Sequence, residues 1–176
     1  MRPPRHIETN RLLLRPTELG DAAAVFDYHS DPDVTRHLTF PPATDIEEAK
    51  AFLDRCARAW REATSFPLAI TTKEDDMLLG VIEPQLTGHG IEVGYVLRRS
   101  EWNNGYMTEA LEAVTSWAFE QPGVFRVWAY VDMDNIASQR VLEKAGFTSE
   151  GVLHRWANHV NMSPQPRDAV MYARWS

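Results

Sequence analysis

Apolar positions change their spacing several times along the chain, and each change marks an element. The run Leu12-Leu13-Leu14-Arg15 predicts a first strand. Thr17 stands where a helix N-cap belongs, ahead of the Ala-rich run Asp21 to His29. A Pro-marked loop from Asp31 to Pro42 follows, and Thr44 and Glu47 then have the spacing of a capping box. Ile46, Ala49, Leu53, Cys56 and Trp60 recur at helical intervals behind it and form one stripe.

Phe66 to Thr71, Leu78 to Glu83 and Ile91 to Leu97 predict three successive strands, with Lys73-Glu74-Asp75-Asp76 and Gly88-His89-Gly90 as the turns between them. From about Gly105 to Glu120 the residues Met107, Ala110, Leu111, Val114, Trp117 and Ala118 give a helix with a continuous apolar face. Val124 to Val131 predicts a strand and Asn135 to Ala145 a shorter helix with legible ends. Asn135 is its N-cap, Gly146 fits the left-handed position after the last turn, and Phe147 is placed to touch Leu142 as in a Schellman motif. Gly151 to His154 and Ala169 to Trp175 complete the chain as strands joined by a Pro-rich loop. Consecutive strands followed by alternation with helices predict a mixed α/β fold.

Composition narrows the function. The 176 residues, 44% hydrophobic and 24% charged, suffice for one domain with a core, residues 1–176. A net charge of -7 argues against nucleic acid as a partner, since phosphate backbones call for a basic face. Acidity suits a cationic acceptor such as an amine, and it equally serves solubility. Cys56 is the only cysteine, so no internal disulfide forms, and its place on the helical stripe makes it a core residue. No CxxC, HExxH or clustered His/Asp pattern suggests a metal. The polar start and the lack of a long apolar run predict neither a signal peptide nor a membrane span, hence a cytoplasmic protein.

The stretch WNNGYMTEA, Trp102 to Ala110, runs from the end of a strand through two asparagines and a glycine into a helix. A helix N-terminus has unsatisfied N–H groups and partial positive charge, so it suits an anion such as phosphate. The same pattern also serves as an ordinary tight turn. Dinucleotide and nucleoside-triphosphate fingerprints are both absent.

WNNGYMTEA followed by VWAYVDMDNIASQRVLEKAGFTSEGVL resembles the GNAT superfamily of acyl-CoA N-acyltransferases, and within it the ribosomal-protein N-acetyltransferase (RimJ/RimL-like) branch. The opening IETNRLLLRP is similar to that branch's first strand, so the resemblance spans nearly the whole chain. It implies a mixed, mostly antiparallel sheet, flanked by helices and splayed between the fourth and fifth predicted strands, with acetyl-CoA as acyl donor and no metal. The family's phosphate turn, Arg/Gln-x-x-Gly-x-Gly/Ala, falls here on Trp102, Gly105 and Met107, so its first and last positions depart from the pattern. Backbone groups of Asn103, Asn104, Gly105, Tyr106, Met107 and Thr108 are thereby implied to hold the pyrophosphate. Tyr95, Val96 and Leu97 are implied to border the pantetheine arm, with the Leu97 N–H directed to the thioester carbonyl.

Asn135 and Ser138 match positions that face the pantetheine and the sulfur, although both also suit a helix cap. Many relatives carry a proton-donating Tyr where this chain has Leu142, which leaves that role to Ser138. Glu92, on the face of its strand opposite Ile91, Val93, Tyr95 and Leu97, is the candidate base, with a solvated sheet carboxylate as the alternative. His29, His37, His89, His154 and His159 are scattered and read as surface or loop residues. Arg155, Trp156, Asn161 and the loop after them stand where the branch closes over its acceptor. The implied acceptor is an amine, either a protein N-terminus or a small molecule, with a homodimer as an open assembly. Use of another acyl-CoA such as succinyl-CoA, or a coenzyme-binding sensor without turnover, are the alternatives.

Overall fold

The computed structural model describes residues 1–176. Eight strands form one sheet in the order β1-β2-β3-β4-β5-β6-β8-β7. They are β1 (Ile7–Glu8), β2 (Leu12–Pro16), β3 (Leu68–Thr72), β4 (Leu78–Thr87), β5 (Gly90–Leu97), β6 (Arg126–Asp132), β7 (Thr148–Ala157) and β8 (Arg167–Trp175). The helices are α1 (Ala22–His29), α2 (Pro32–Thr35), α3 (Ile46–Glu62), α4 (Tyr106–Phe119) and α5 (Ile136–Lys144). Every pairing is antiparallel except β5 with β6.

Alternation along the strands sends side chains to two cores. Leu12, Leu14, Leu68, Ile70, Ile91, Val93 and Val127 join the apolar face of α4 with Leu142 and Phe147 in the larger core. Ala69 and Leu78 meet Val25, Tyr28, Ala49 and Leu53 of α1 and α3 on the opposite face. Cys56 is fully buried, as its stripe position requires, and burial raises its thiol pKa to about 11.

The ends of α5 follow from its sequence. Asn135 Oδ1 accepts from the Ser138 N–H at 3.1 Å. At the other end the Phe147 N–H donates to Leu142 O and the Gly146 N–H to Glu143 O, with Gly146 at φ 81°, which is the Schellman pattern. Two other caps differ from the sequence reading. The turn before α1 is a short 3-10 segment, Leu19–Asp21, boxed by Glu18 with Asp21, so Thr17 caps nothing. The capping box of α3 is Asp45 with Glu48, one residue past the predicted pair, because Asp45 has the extended backbone an N-cap needs. Thr44 instead donates to Glu48 Oε1 from its N–H and hydroxyl.

β4 runs through Pro84 to Thr87, beyond its predicted end. Proline is tolerated there because the Pro84 peptide is turned away from β5, towards the segment before β3 begins at Leu68, where its carbonyl still accepts from the Phe66 N–H at 2.9 Å. The first strand is preceded by β1, too short to leave a periodic signal.

Two of the histidines expected at the surface are buried, His29 and His159. His29 packs among Tyr28, Phe40 and Phe52 with ring centroids 4.8 to 5.0 Å away. Burial, aided by Arg55, pushes its pKa down to about 4. In the unfolded chain the ring titrates near ~6.5, so between these values the unfolded state binds more protons and stability falls as pH drops. The loss is up to ~1.4 kcal/mol per pH unit over that window. Urea melts at pH 7 and pH 5 should show wild type losing about 2 kcal/mol more than His29→Phe; equal losses would remove His29 as the cause.

Candidate functional site

The β4–β5 hairpin decides which backbone groups are free. Its loop has two residues, Gly88 and His89, so the flanking Thr87 and Gly90 form a hydrogen-bonded pair and every second pair after it does too. Glu92, Gly94 and Val96 therefore exchange bonds with Gln85, Glu83 and Val81 of β4. The Arg98 N–H to Leu79 O bond of 2.8 Å continues the same parity. Ile91, Val93, Tyr95 and Leu97 turn their peptide groups the other way, towards β6. Only Ile91 and Glu92 pair there, with Val127 and Trp128, after which the strands diverge.

Gly90 closes the narrow end of this V. It has φ 107°, and a Cβ on it would lie 2.3 Å from the Arg126 carbonyl oxygen, so only glycine lets β5 and β6 approach so closely there. Past the Glu92–Trp128 pair, whose bonds engage the Val93 N–H, the Val93 carbonyl and the peptide groups of Tyr95 and Leu97 have no strand partner on the open side. The Leu97 carbonyl is taken by the Trp102 indole N–H at 2.8 Å, which leaves its N–H facing the gap. Val96, by the same parity, bonds β4 and offers the gap no backbone group.

The turn after β5 enters α4 through Asn103 (φ 64°) and Gly105 (φ 77°), two left-handed residues in three. Gly105 is the N-cap and no side chain caps the helix, so the N–H groups of Tyr106, Met107 and Thr108 have no intrahelical partner. The Met107 side chain is buried in the larger core, so Met107 offers the turn its backbone alone. Arg11 of the first hairpin braces the turn: its Nη1 donates to Asn104 O at 2.9 Å and its guanidinium lies 4.5 Å over the Tyr106 ring. Glu109, one turn into α4, accepts from Thr9 Oγ1 (2.6 Å), Arg11 N (2.8 Å) and Arg11 Nε (2.7 Å). Nothing in the local pattern of WNNGYMTEA marks Arg11 as its partner, 93 residues upstream of Asn104.

At the mouth of the V lies a cleft of about 200 Å³ lined in part by Glu92, Gly94, Tyr95, Asn135 and Ser138. The Tyr95 hydroxyl crosses from β5 to α5 and lies 2.7 Å from Ser138 Oγ. Burial raises the Tyr95 pKa far above the usual phenol, with the Ser138 bond opposing, so Tyr95 stays protonated. Burial also raises the Glu92 pKa, and Glu83 adds to it. Leu142 is wholly buried in the core and does not reach the cleft.

The cleft also contains residues that sequence reasoning set aside. His37, His159 and Asp132 line it beside Glu92. Asp132 accepts from Arg167 Nε at 2.6 Å and from the Asp134 N–H at 2.9 Å. Burial alone would raise its pKa, but these bonds outweigh burial and hold it below the usual carboxylate range. Asn161 Nδ2 donates to Thr35 O (2.7 Å) and Phe40 O (2.8 Å), tying the β7–β8 loop to the segment that carries His37. Only the chain's return through three elements brings these residues together, so no spacing in the sequence could show it. Among the neighbours predicted with Asn161, Trp156 packs edge-on to Tyr130, and Arg155 bonds Gln165.

The acetyltransferase (GNAT) domain family matches residues 11–148. The uncharacterized N-acetyltransferase YoaA of Bacillus subtilis (strain 168) is 33% identical over 170 residues, covering 95% of this chain and 94% of YoaA. A GNAT-family acetyltransferase structure from Bacillus anthracis is 28% identical with a TM-score of 0.84, covering 97% of this chain and 98% of that one. RimL, a ribosomal L7/L12 α-N-protein acetyltransferase solved in complex with coenzyme A, shares the fold at 21% identity with a TM-score of 0.83 and 97% coverage of both chains.

Removing the Glu109 carboxylate tests the brace on the open turn. Glu109→Ala strands three donors and should cost about 3 kcal/mol, a fall in Tm of roughly 6 to 12 °C. Glu109→Gln, which keeps an acceptor, should lose less; equal melting of all three proteins would show that the brace contributes nothing.

Proposed function

The chain belongs to the acetyltransferase (GNAT) domain family and is an N-acetyltransferase; on that premise we propose that it transfers acetyl from acetyl-CoA to a weakly basic amine, a protein N-terminal α-amine or a small-molecule amine. The observation that carries this reading is the V between β5 and β6, with unpaired peptide groups along one wall and the uncapped start of α4 at its mouth. A pantetheine arm has amides that can pair with Val93, Tyr95 and Leu97. Its pyrophosphate suits the free N–H groups of the turn from Asn103 to Thr108. RimL, with the same fold, is by its name an α-N-protein acetyltransferase, which favours an α-amine.

The chemistry is direct attack of a neutral amine on the thioester carbonyl. The Leu97 N–H faces the oxygen on which negative charge grows, and a fixed donor there stabilises the transition state most. Asn135 holds the start of α5, and Ser138, backed by the Tyr95 hydroxyl, supplies a proton to the departing sulfur. Glu92 gives the cleft a carboxylate to meet the incoming ammonium. An α-amine titrates near ~8 and is about one-tenth neutral at pH 7, a penalty of roughly 1.4 kcal/mol, whereas a lysine near ~10.4 carries about 4.6. The larger penalty disfavours a lysine side chain in a cleft whose proton acceptors are weak.

Acetyl-CoA at ~100 times its dissociation constant should stabilise the fold by about 2.7 kcal/mol, roughly 5 to 11 °C in Tm. Gly105→Val should lose that shift, because a branched side chain is strained at its positive φ and obstructs the turn. Thiol release from acetyl-CoA in a screen of peptide N-termini, free amino acids and polyamines tests turnover. Coenzyme binding with no acceptor-dependent release would favour the sensor reading, and faster release from succinyl-CoA would change the donor.

Ser138→Ala should lower turnover about 10- to 100-fold with coenzyme affinity nearly unchanged, because a thiol of pKa ~8.5 leaves tolerably well without help. Unchanged turnover would return Ser138 to the cap of α5.

A further inference from the structure

His37 and Asp132 have the arrangement of a base and the group that orients it. Asp132 has a fully buried side chain at the end of β6, and its Oδ1 lies 3.6 Å from His37 Nδ1. That ring nitrogen is buried and has no hydrogen-bond partner, while the ring keeps a fifth of its surface exposed and lines the cleft. Nε2, across the ring from Nδ1, lies on the side away from Asp132 and is not buried, on a ring that lines the cleft. The 3.6 Å separation is longer than a formed hydrogen bond, and bonds of this kind tighten when the reacting partner arrives. His37 is held in place on both flanks, since Asn161 binds the carbonyls of Thr35 and Phe40 on either side of it.

We propose that His37 Nε2 is the proton acceptor for the incoming amine, that Asp132 orients it through Nδ1, and that Glu92 on β5 serves as counter-ion to the ammonium. This rests on the acetyltransferase reading above. One N–H proton of the ammonium passes to His37, and the freed lone pair attacks the thioester carbonyl carbon. The C–S bond breaks, and the second proton, lost from nitrogen once the C–N bond forms, reaches the sulfur through Ser138. His37 releases its proton to solvent, so one proton leaves per turnover.

The surroundings keep the ring fit for this. His37 is faced by Asp132 and Asp134 at the end of β6, by His159 of the β7–β8 loop, by Glu92 from β5 in the same cleft and by its neighbour Arg36. Burial lowers the His37 pKa below its ordinary value; Asp132 opposes this, and Arg36 and His159 reinforce it. The imidazole is therefore neutral at pH 7. Arg167 neutralises much of the Asp132 charge, so the carboxylate orients the ring without keeping it protonated. A histidine is also a better match than a carboxylate to the proton of an α-amine, because its pKa lies closer to ~8.

The test is kcat/KM against pH for wild type, His37→Gln and Glu92→Gln, with the best amine from the screen, beside the acetyl-CoA thermal shift of each. His37→Gln should retain the wild-type thermal shift, lose about 100-fold in kcat/KM at pH 7 and lack the acidic limb below pH ~6.5. It should regain rate at high pH, where solution supplies neutral amine. Glu92→Gln should keep that limb and show mainly a raised acceptor KM. The inference is overturned by a His37→Gln profile that superimposes on wild type, by a rate loss that leaves the acidic limb in place, or by loss of the limb in Glu92→Gln instead. Wild-type protein that releases no thiol with any amine would overturn the acetyltransferase reading itself, and the inference with it.

Discussion

Parity in one hairpin governs the molecule. Because Gly88 and His89 alone separate β4 from β5, the hydrogen bonds of β5 alternate in a fixed phase, and the odd-numbered residues from Ile91 to Leu97 must look for partners on the β6 side. β6 supplies them only as far as Glu92. Inserting one residue in that loop would turn Val93, Tyr95 and Leu97 back to β4 and reverse every side chain of the strand. Glu92 would then exchange faces with Val93, and the gap would be bordered by the peptide groups of Gly94 and Val96 in place of those of Tyr95 and Leu97 and would lose its carboxylate.

The two ends of the gap are fixed by different means. Gly90 against Arg126 sets the closed end by contact between backbones. The open end is held by polar ties between segments distant in sequence: Arg11 and Glu109 at the turn, Tyr95 with Ser138 across the V, and Asp132 with Arg167 at the end of β6. The site thus depends on charged and hydroxyl groups while the two cores carry the bulk of the fold.

Much of this was legible in the sequence because it is local. The α4 and α5 stripes, the α5 cap at Asn135, the Gly146 terminus and the alternation that separates Glu92 from its neighbours all arise within a few residues of one another. Cap positions slipped by a residue where two polar side chains competed, as Thr44 and Asp45 did; backbone conformation chose between them, and composition carries no trace of that choice. The V was visible through family resemblance alone, since a diverging strand pair leaves the same alternation as a closed one. His29 and His159 are buried, against the surface reading, because a histidine's burial is decided by what folds over it, as Phe40 and Phe52 close over His29. Arg11 escaped for the same reason: its partner at Asn104 is distant in the chain.

The bond from the Trp102 indole to the Leu97 carbonyl has an asymmetric effect. It occupies the one acceptor at the tip of β5 and leaves the donor beside it vacant. The strand end is thereby selective for polarity: an incoming group that presents a lone pair finds a hydrogen, and one that presents a hydrogen finds an oxygen already engaged. A carbonyl meets a wholly free donor there, and an amide N–H meets an oxygen with one of its two lone pairs already used. An acyl group would be sorted from the amides of its own carrier by a tryptophan that need not touch it.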